Sequence, residues 1–258
     1  MSVMKRNKFT VFCGNLLFPP KCVGCRELIK RDIFDPCTVP LCDKCRAKWE
    51  REKLERCPDC QLEMTICTCS SGLLQKAGIE EAVKLFNYSV KKRSVGKSAV
   101  LYMKKHNSAR AFDYFAAQLS YAVKRKSAEY KADEVAVLCV PRSKTSRGEY
   151  GFDQSELLAK RLAEKCGFKY ITPVIRSNKR VSEQKKSSLS RRVKNIRGVF
   201  EIDGNAAESL GNLKCLVLVD DVITSGASMA GCIELLKKHF DGKILCASLG
   251  RTGKRNKK

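Results

Sequence analysis

From residue 135 onward the chain alternates between unbroken apolar runs and stretches with helical spacing. Residues 135–140, 171–175, 216–219 and 244–249 are short, nearly continuous apolar runs, the form taken by strands buried on both faces. Between some of them, residues 154–166 and 227–239 recur with helical spacing. Upstream, residues 94–126 carry that spacing twice, through Val100, Leu101 and Met103 and again through Phe112, Phe115, Ala116 and Leu119, which predicts two helices. Strands alternating with helices predict an α/β fold, a parallel sheet covered on both faces. Residues 1–72 show neither period and are rich in Cys, Pro and charge.

Charge changes this picture. The 258 residues include 51 Lys plus Arg against 27 Asp plus Glu, a net +24. Residues 1–72 hold 13 basic and 9 acidic residues, so a surplus of +20 lies in the remainder. Such an excess argues against a neutral, self-contained metabolic enzyme and for an anionic partner. His106 and His239 are the only histidines, which leaves little for His-based hydrolysis. His106 reads as an exposed side chain. Residues 9–20, uncharged behind Lys5, Arg6 and Lys8, imitate a secretory signal. Gly14 and Asn15 interrupt them and no small-residue cleavage site follows, so we read no signal there. No run approaches the roughly 20 apolar residues of a spanning helix. The chain is expected in the cytoplasm, free or peripheral at the inner face of the cytoplasmic membrane. Residues 251–258, with five basic side chains, read as a disordered tail.

Ten of the fifteen cysteines lie in the first 70 residues. Cys22 and Cys25, Cys42 and Cys45, and Cys57 and Cys60 form C-x-x-C pairs, and Cys67 and Cys69 a C-x-C pair. In a reducing compartment such clustering means metal rather than disulfides. Two pairs supply one closed tetrahedral site, so eight thiolates make two structural zinc sites. The simplest assignment is sequential, Cys22, Cys25, Cys42 and Cys45 and then Cys57, Cys60, Cys67 and Cys69; an interleaved pairing stays open. The spacing also suits a disulfide scaffold or an iron–sulfur cluster. Gly24 and Pro58 fit tight turns, Trp49 reads as a packing residue, and Cys13 and Cys37 have no place in the scheme.

Residues 216–228, LVLVDDVITSGAS, carry the most specific signal. Four apolar residues make a buried strand, and Asp220 and Asp221 follow at its carboxyl end, where α/β sheets place ligands. Thr224, Ser225, Gly226, Ala227 and Ser228 then offer hydroxyls and free N–H groups at a helix start, an anion cradle. Carboxylates suit vicinal hydroxyls, so the pair of features describes a ribose 5-phosphate. The segment resembles the phosphoribosyl pyrophosphate motif of type I phosphoribosyltransferases. That resemblance implies that Asp220 and Asp221 hold the ribose hydroxyls, that Thr224 to Ser228 bind the 5-phosphate, that Mg²⁺ accompanies the ligand, and that Pro141, Arg142 and Ser143 belong to the pyrophosphate loop. Asp220, Asp221 and Arg142 become the candidate catalytic residues.

A double zinc ribbon followed by RGEYGFDQSELLAKRLA, QKKSSLSRRVKNIRGVF and the acidic motif is similar to the ComF competence family along nearly the whole chain. Matching positions include Gly151, Phe152 and Gln154, then Gln184, Arg192, Asn195, Gly198 and Phe200. Tyr150 stands where Arg usually precedes Gly-Phe, Asp153 where Asn is usual, and Ser187 where Leu is common. The resemblance implies a double zinc-ribbon domain over residues 1–72, a type I phosphoribosyltransferase-like parallel sheet flanked by helices over 73–250, and the basic tail 251–258. It also implies single-stranded DNA and the competence DNA-translocation machinery as partners. Residues 176–197 hold nine basic residues and one acid, Glu183. They read as a cationic loop that closes over pyrophosphate or tracks a nucleic-acid backbone through Arg191, Arg192, Lys194 and Arg197; a solvated charge run is the plain alternative. Tyr102, Lys104, Lys105 and His106, at a helix end, are candidates to line the same cleft. Two functional readings stand: a competence factor binding phosphoribosyl pyrophosphate and DNA, and an active phosphoribosyltransferase acting on a nucleobase or amine.

Overall fold

The structure, a computed structural model, describes residues 8–32, 34–89, 93–142, 151–177, 199–204 and 207–253. Its strands are β1 (Ala82–Val83), β2 (Phe86–Asn87), β3 (Val135–Cys139), β4 (Lys169–Tyr170), β5 (Val174–Arg176), β6 (Phe200–Ile202), β7 (Cys215–Ile223) and β8 (Lys243–Arg251). The helices are α1 (Lys8–Leu17), α2 (Asp43–Leu54), α3 (Gly72–Lys76), α4 (Val95–Lys105), α5 (Ala109–Lys126), α6 (Gln154–Cys166) and α7 (Ala227–Leu236). Strands β1, β8, β7, β3 and β4 lie side by side in that order and all in parallel, with β2 continuing the β1 edge along β8. Strands β5 and β6 form a separate antiparallel pair.

The sheet is the expected α/β layer, buried on both faces. In β7, Cys215, Val217 and Val219 face a core built with α4, α5 and α6, whereas Leu216 and Leu218 face one built with α3 and α7. This period-two division explains why the run has no polar side chain before residue 220. The helices start where side chains accept orphan N–H groups. Ser94 accepts from Lys97 N, Ser108 from Ala111 N, and Asp153 from Ser155 N and Glu156 N.

Several expectations are corrected. Residues 171–175 are not one strand: the chain leaves the sheet after β4 and turns into β5, because Ile171 and Val174 are needed under the α7 face. The last helix ends at Leu236, before His239. Strand β7 runs on through the acid pair to Ile223. Arg251 belongs to no loose tail; it is the buried last residue of β8. Residues 1–72 contain two helices that their composition hides. Residues 9–20 fall largely in α1, which exposes Phe9, Leu16 and Leu17, and Phe18 just after it is exposed as well. Helix α2 is so charged that only Cys45 and Trp49 are buried along it. Among the described residues no helix is long and apolar enough to cross a membrane.

The cysteine-rich region does not have a core wholly apart from that of the sheet. Cys22, Val23, Leu41, Cys45 and Trp49 belong to the same buried cluster as the sheet. Trp49 is fully buried, edge-on to Phe86 at 5.7 Å and to Phe115 at 5.3 Å between ring centroids. Glu52, one turn later, accepts from Val95 N at 2.7 Å and Gly96 N at 2.9 Å, so α2 caps α4. Burial of the single tryptophan between the two regions makes them unfold together. Trp49 fluorescence and far-UV ellipticity should give coincident denaturant transitions, and Trp49→Ala should lower stability by about 3–5 kcal/mol. Two resolved transitions would show independent units.

Candidate functional site

The alternation of β7 changes phase at its end: Val222 joins the face of Val219, and Ile223 the opposite one. Asp220 and Asp221 lie at this change and meet the first turn of α6. Ser155 Oγ donates to Asp220 Oδ1 at 2.8 Å, and Gln154 Nε2 donates to Asp221 Oδ2 at 2.8 Å. That same Asp221 oxygen also receives the Arg142 guanidinium at 3.0 Å and lies 3.2 Å from Lys104 Nζ. Asp221 is therefore a buried acceptor with two cations on it, while Asp220 opens to the cleft. Burial, and then the neighbouring Asp221 carboxylate, push the Asp220 carboxyl up to about 7. Asp153 joins these parts. Besides capping α6, its carboxylate accepts from Arg142 N at 3.2 Å, which fixes the start of the loop after β3.

Beyond β7, Thr224, Ser225, Gly226, Ala227 and Ser228 form, with Asp220, an open cradle of about 250 Å³. Gly226 heads α7 with φ 80°, a left-handed conformation. A Cβ there would collide with Ser71 Oγ and approach Leu74 Cγ to 3.1 Å. N–H groups at the first turn of α7, where Ala227 N donates to Ser225 Oγ at 3.4 Å, and the hydroxyls around them suit an anion.

The eight cysteines gather in the sequential pairing, Cys22, Cys25, Cys42 and Cys45 in one group and Cys57, Cys60, Cys67 and Cys69 in the other. In each group the sulfurs lie within 4.8 Å of one another. Cys25 and Cys42 Sγ are 3.8 Å apart and Cys60 and Cys67 Sγ 3.5 Å, near the ~3.8 Å edge of a tetrahedron with zinc–sulfur bonds of about 2.3 Å. The two groups repeat one turn. Arg26 and Gln61 both take positive φ, and their N–H groups bond the carbonyls of Cys22 and Cys57. Burial opposes ionisation of Cys22 and Cys57, but N–H donors from Cys42, Cys25 and Gly24, and from Asp59 and Cys60, lower both to about 7. Burial raises Cys45, and Cys69 up to about 12. Holding all four sulfurs as thiolates near neutral pH calls for a cation among them. Gly24 is needed because a Cβ would come within 2.9 Å of Cys45 Sγ.

At the second group two buried cations add to the fit. Lys84 is 1% exposed, and its described hydrogen bonds go to the carbonyls of Cys69, at 2.8 Å, and Ala82. Burial raises the Cys67 thiol above its ordinary value, and Lys84 acts against that rise. Arg251, also buried, pairs with Asp59 and lies beside Cys57. Buried cations need anions near them, and a zinc tetrathiolate carries two negative charges. Each four-cysteine group can hold a zinc ion.

The structure brings Asp220, Asp221, Arg142 and the residues 224–228 to one sheet edge, with Pro141 just before Arg142. Of the four residues at the end of α4, Lys104 alone reaches the acid pair. The Tyr102 and His106 rings lie 4.4 Å apart and tilted by 33°, with Arg26 over the Tyr102 ring, and Lys105 is exposed. Ser143, Tyr150, Arg191, Arg192, Lys194 and Arg197 lie outside the described residues. All described peptide bonds are trans. Sequence reasoning gave no role to Ser155, Gln154 or Ser71. A cap residue followed by two polar residues signals the first two; nothing local signals Ser71.

A parallel sheet with paired acids and a glycine-headed anion cradle at its carboxyl edge is the architecture of a phosphoribosyltransferase domain. A family model described as Phosphoribosyl transferase domain matches residues 113–257, more than half of the chain, and the chain belongs to that family. A search of curated proteins finds no match.

The raised Asp220 carboxyl has a consequence for stability. Its folded value of about 7 exceeds the ordinary 3.8, so between those values the native chain holds a proton that the unfolded chain has lost. Its contribution is fully present below about pH 4 and is lost as pH rises through about 7. Asp220→Asn should therefore gain stability relative to the wild type from pH 4 to 7, with no further gain above it. Thermal unfolding of both proteins across pH 4–8 tests this; a constant difference would contradict it.

Proposed function

We propose that this chain is a ComF-like competence protein that binds phosphoribosyl pyrophosphate and single-stranded DNA and assists DNA uptake in natural transformation. One observation carries the reading. An acid pair, the Arg142 cation and an anion cradle converge at one sheet edge of a phosphoribosyltransferase-family domain, in a chain that also gathers two four-cysteine groups. We take residues 1–72 as a double zinc ribbon with two structural Zn²⁺ ions and residues 73–250 as the phosphoribosyltransferase-like domain.

The 5-phosphate rests on the N–H groups and hydroxyls of Thr224 to Ser228, favoured by the α7 dipole. Asp220 accepts from a ribose hydroxyl, and Asp221 from its neighbour once Arg142 and Lys104 turn from it toward the pyrophosphate. Pro141 and Arg142 start the loop around that pyrophosphate. Asp220 and Asp221 are also the groups that would hold Mg²⁺ with the ligand, and the ion supplies positive charge against the pyrophosphate. Single-stranded DNA is held through its phosphates by Arg191, Arg192, Lys194 and Arg197. The +24 charge supports such a partner. The exposed apolar residues of α1 support a peripheral place at the inner membrane face, beside the DNA-translocation machinery.

One titration series tests the reading. Phosphoribosyl pyrophosphate should bind only with Mg²⁺, and replacing Asp220 and Asp221 by Ala should weaken it at least tenfold, about 1.4 kcal/mol. Single-stranded DNA should bind with little sequence preference and a log–log salt slope of roughly −0.7 per phosphate contacted. That slope should flatten when Arg191, Arg192, Lys194 and Arg197 are neutralised. Equal ligand affinity in wild type and double variant would place the ligand elsewhere. Salt-independent DNA binding, or vigorous pyrophosphate release with a nucleobase in the absence of DNA, would overturn the competence role.

A further inference from the structure

The anion cradle does not stand on the sheet alone. Two hydroxyls hold its backbone from outside the sequence motif. Thr252 Oγ1 donates to Thr224 O at 3.0 Å, and Ser71 Oγ donates to Ser225 O at 2.9 Å. Ser71 is buried, caps α3 through Leu74 N, and fills the space that a side chain at residue 226 would need. Both hydroxyls are anchored to the second four-cysteine group. Ser71 lies two residues after Cys69. The Ser70 carbonyl between them accepts from Arg251 at 3.1 Å, and Arg251 forms an ion pair with Asp59, which lies between Cys57 and Cys60. Lys84 holds the Cys69 carbonyl from the other side. Thr252 follows Arg251 directly, and the next residue packs on the same knuckle: a Cβ at Gly253 would stand 2.7 Å from Pro58 Cγ.

A continuous path therefore runs from Asp59 through Arg251 and Ser70 to Ser71 and the carbonyl of Ser225. Asp59, Arg251, Ser70 and Ser71 are buried or partly buried, so the path up to the exposed Ser225 has little freedom to relax around a displaced member. We propose that the second four-cysteine group positions the anion cradle through Ser71. Ser71 is then a positioning residue, and the metal state of that group governs how tightly the cradle holds a phosphate. This inference rests on the reading that the cradle takes the 5-phosphate of a phosphoribosyl ligand. It adds a control that lies in the cysteine-rich region rather than in the motif.

The test is a double-mutant cycle on the full-length, zinc-loaded chain, with ribose 5-phosphate affinity read by calorimetry and zinc content and ellipticity measured on every protein. Ser71→Ala and Asp59→Asn should each weaken ribose 5-phosphate at least threefold. The double variant should be weakened by clearly less than the product of the two, because both act on one path. Ser71→Thr, which keeps the hydroxyl, should stay within twofold of wild type, whereas the coupling in the double variant is the readout that a role confined to capping α3 would not give. If Asp59→Asn sheds zinc, affinity must fall with it. If it does not fold, Arg251→Lys, which keeps the charge and loses the fork, takes its place. Wild-type affinity in Ser71→Ala, multiplicative effects in the double variant, or unchanged affinity in a chain lacking the second zinc would overturn the proposal. A wild-type chain that binds neither ribose 5-phosphate nor phosphoribosyl pyrophosphate would instead overturn the functional reading, and the proposal with it.

Discussion

Burial of β7 on both faces is the constraint from which the rest follows. A central parallel strand with helices above and below has no room for polar side chains along its length, and its first carboxylate appears only where the layers end. At that edge two helix N-termini are available, those of α6 and α7, each with orphan N–H groups. Helix α6 spends its first turn on the protein itself: Asp153 caps it, and Gln154 and Ser155 hold the acid pair. Helix α7 is headed by Gly226, whose backbone stays open to an anion. One helix start thus organises the carboxylates and the other is left for a ligand.

The cysteine-rich region is a second support for the same edge. Its first group enters the main core through Cys22, Cys45 and Trp49. Its second group carries a small cluster of its own, with Met64 against Cys57 and Cys67, and is tied to β8 through Arg251. The sheet and the knuckles therefore share both apolar burial and paired charge. Small cysteine-rich segments cannot bury enough surface to fold alone. The sheet face supplies part of what this segment lacks, and each of its two four-cysteine groups can hold a metal ion.

How much of this the sequence carried depends on the range of the signal. Local periodicity located α4, α5, α6 and the cores of β3, β7 and β8, because each is a strong pattern within a dozen residues. The cysteine spacing led to the pairing that the structure shows. The acid pair and its cradle stood out because four apolar residues, two acids and a glycine turn are contiguous. Failures came where long-range contacts decided the outcome. Residues 171–175 look like one strand, yet the chain must leave the sheet to cover α7. Helix α2 has a nearly all-polar surface because only Cys45 and Trp49 touch the core. Arg251 looks like the start of a basic tail until Asp59, 192 positions away, is brought beside it. Ser71 reads locally as no more than a helix cap, because its contact with Ser225 lies 154 residues on.

One sheet edge, framed by the acid pair and the Gly226 turn, is where a phosphoribosyl ligand should bind. The most direct measurement is a crystal structure of the zinc-loaded chain with Mg²⁺ and phosphoribosyl pyrophosphate. The 5-phosphate should lie on the N–H groups of residues 224–228 and the ribose against Asp220, with Arg142 and Lys104 turned from Asp221 to the pyrophosphate. A ligand bound away from β7, or one that leaves both cations on Asp221 and the cradle without phosphate, would contradict this placement.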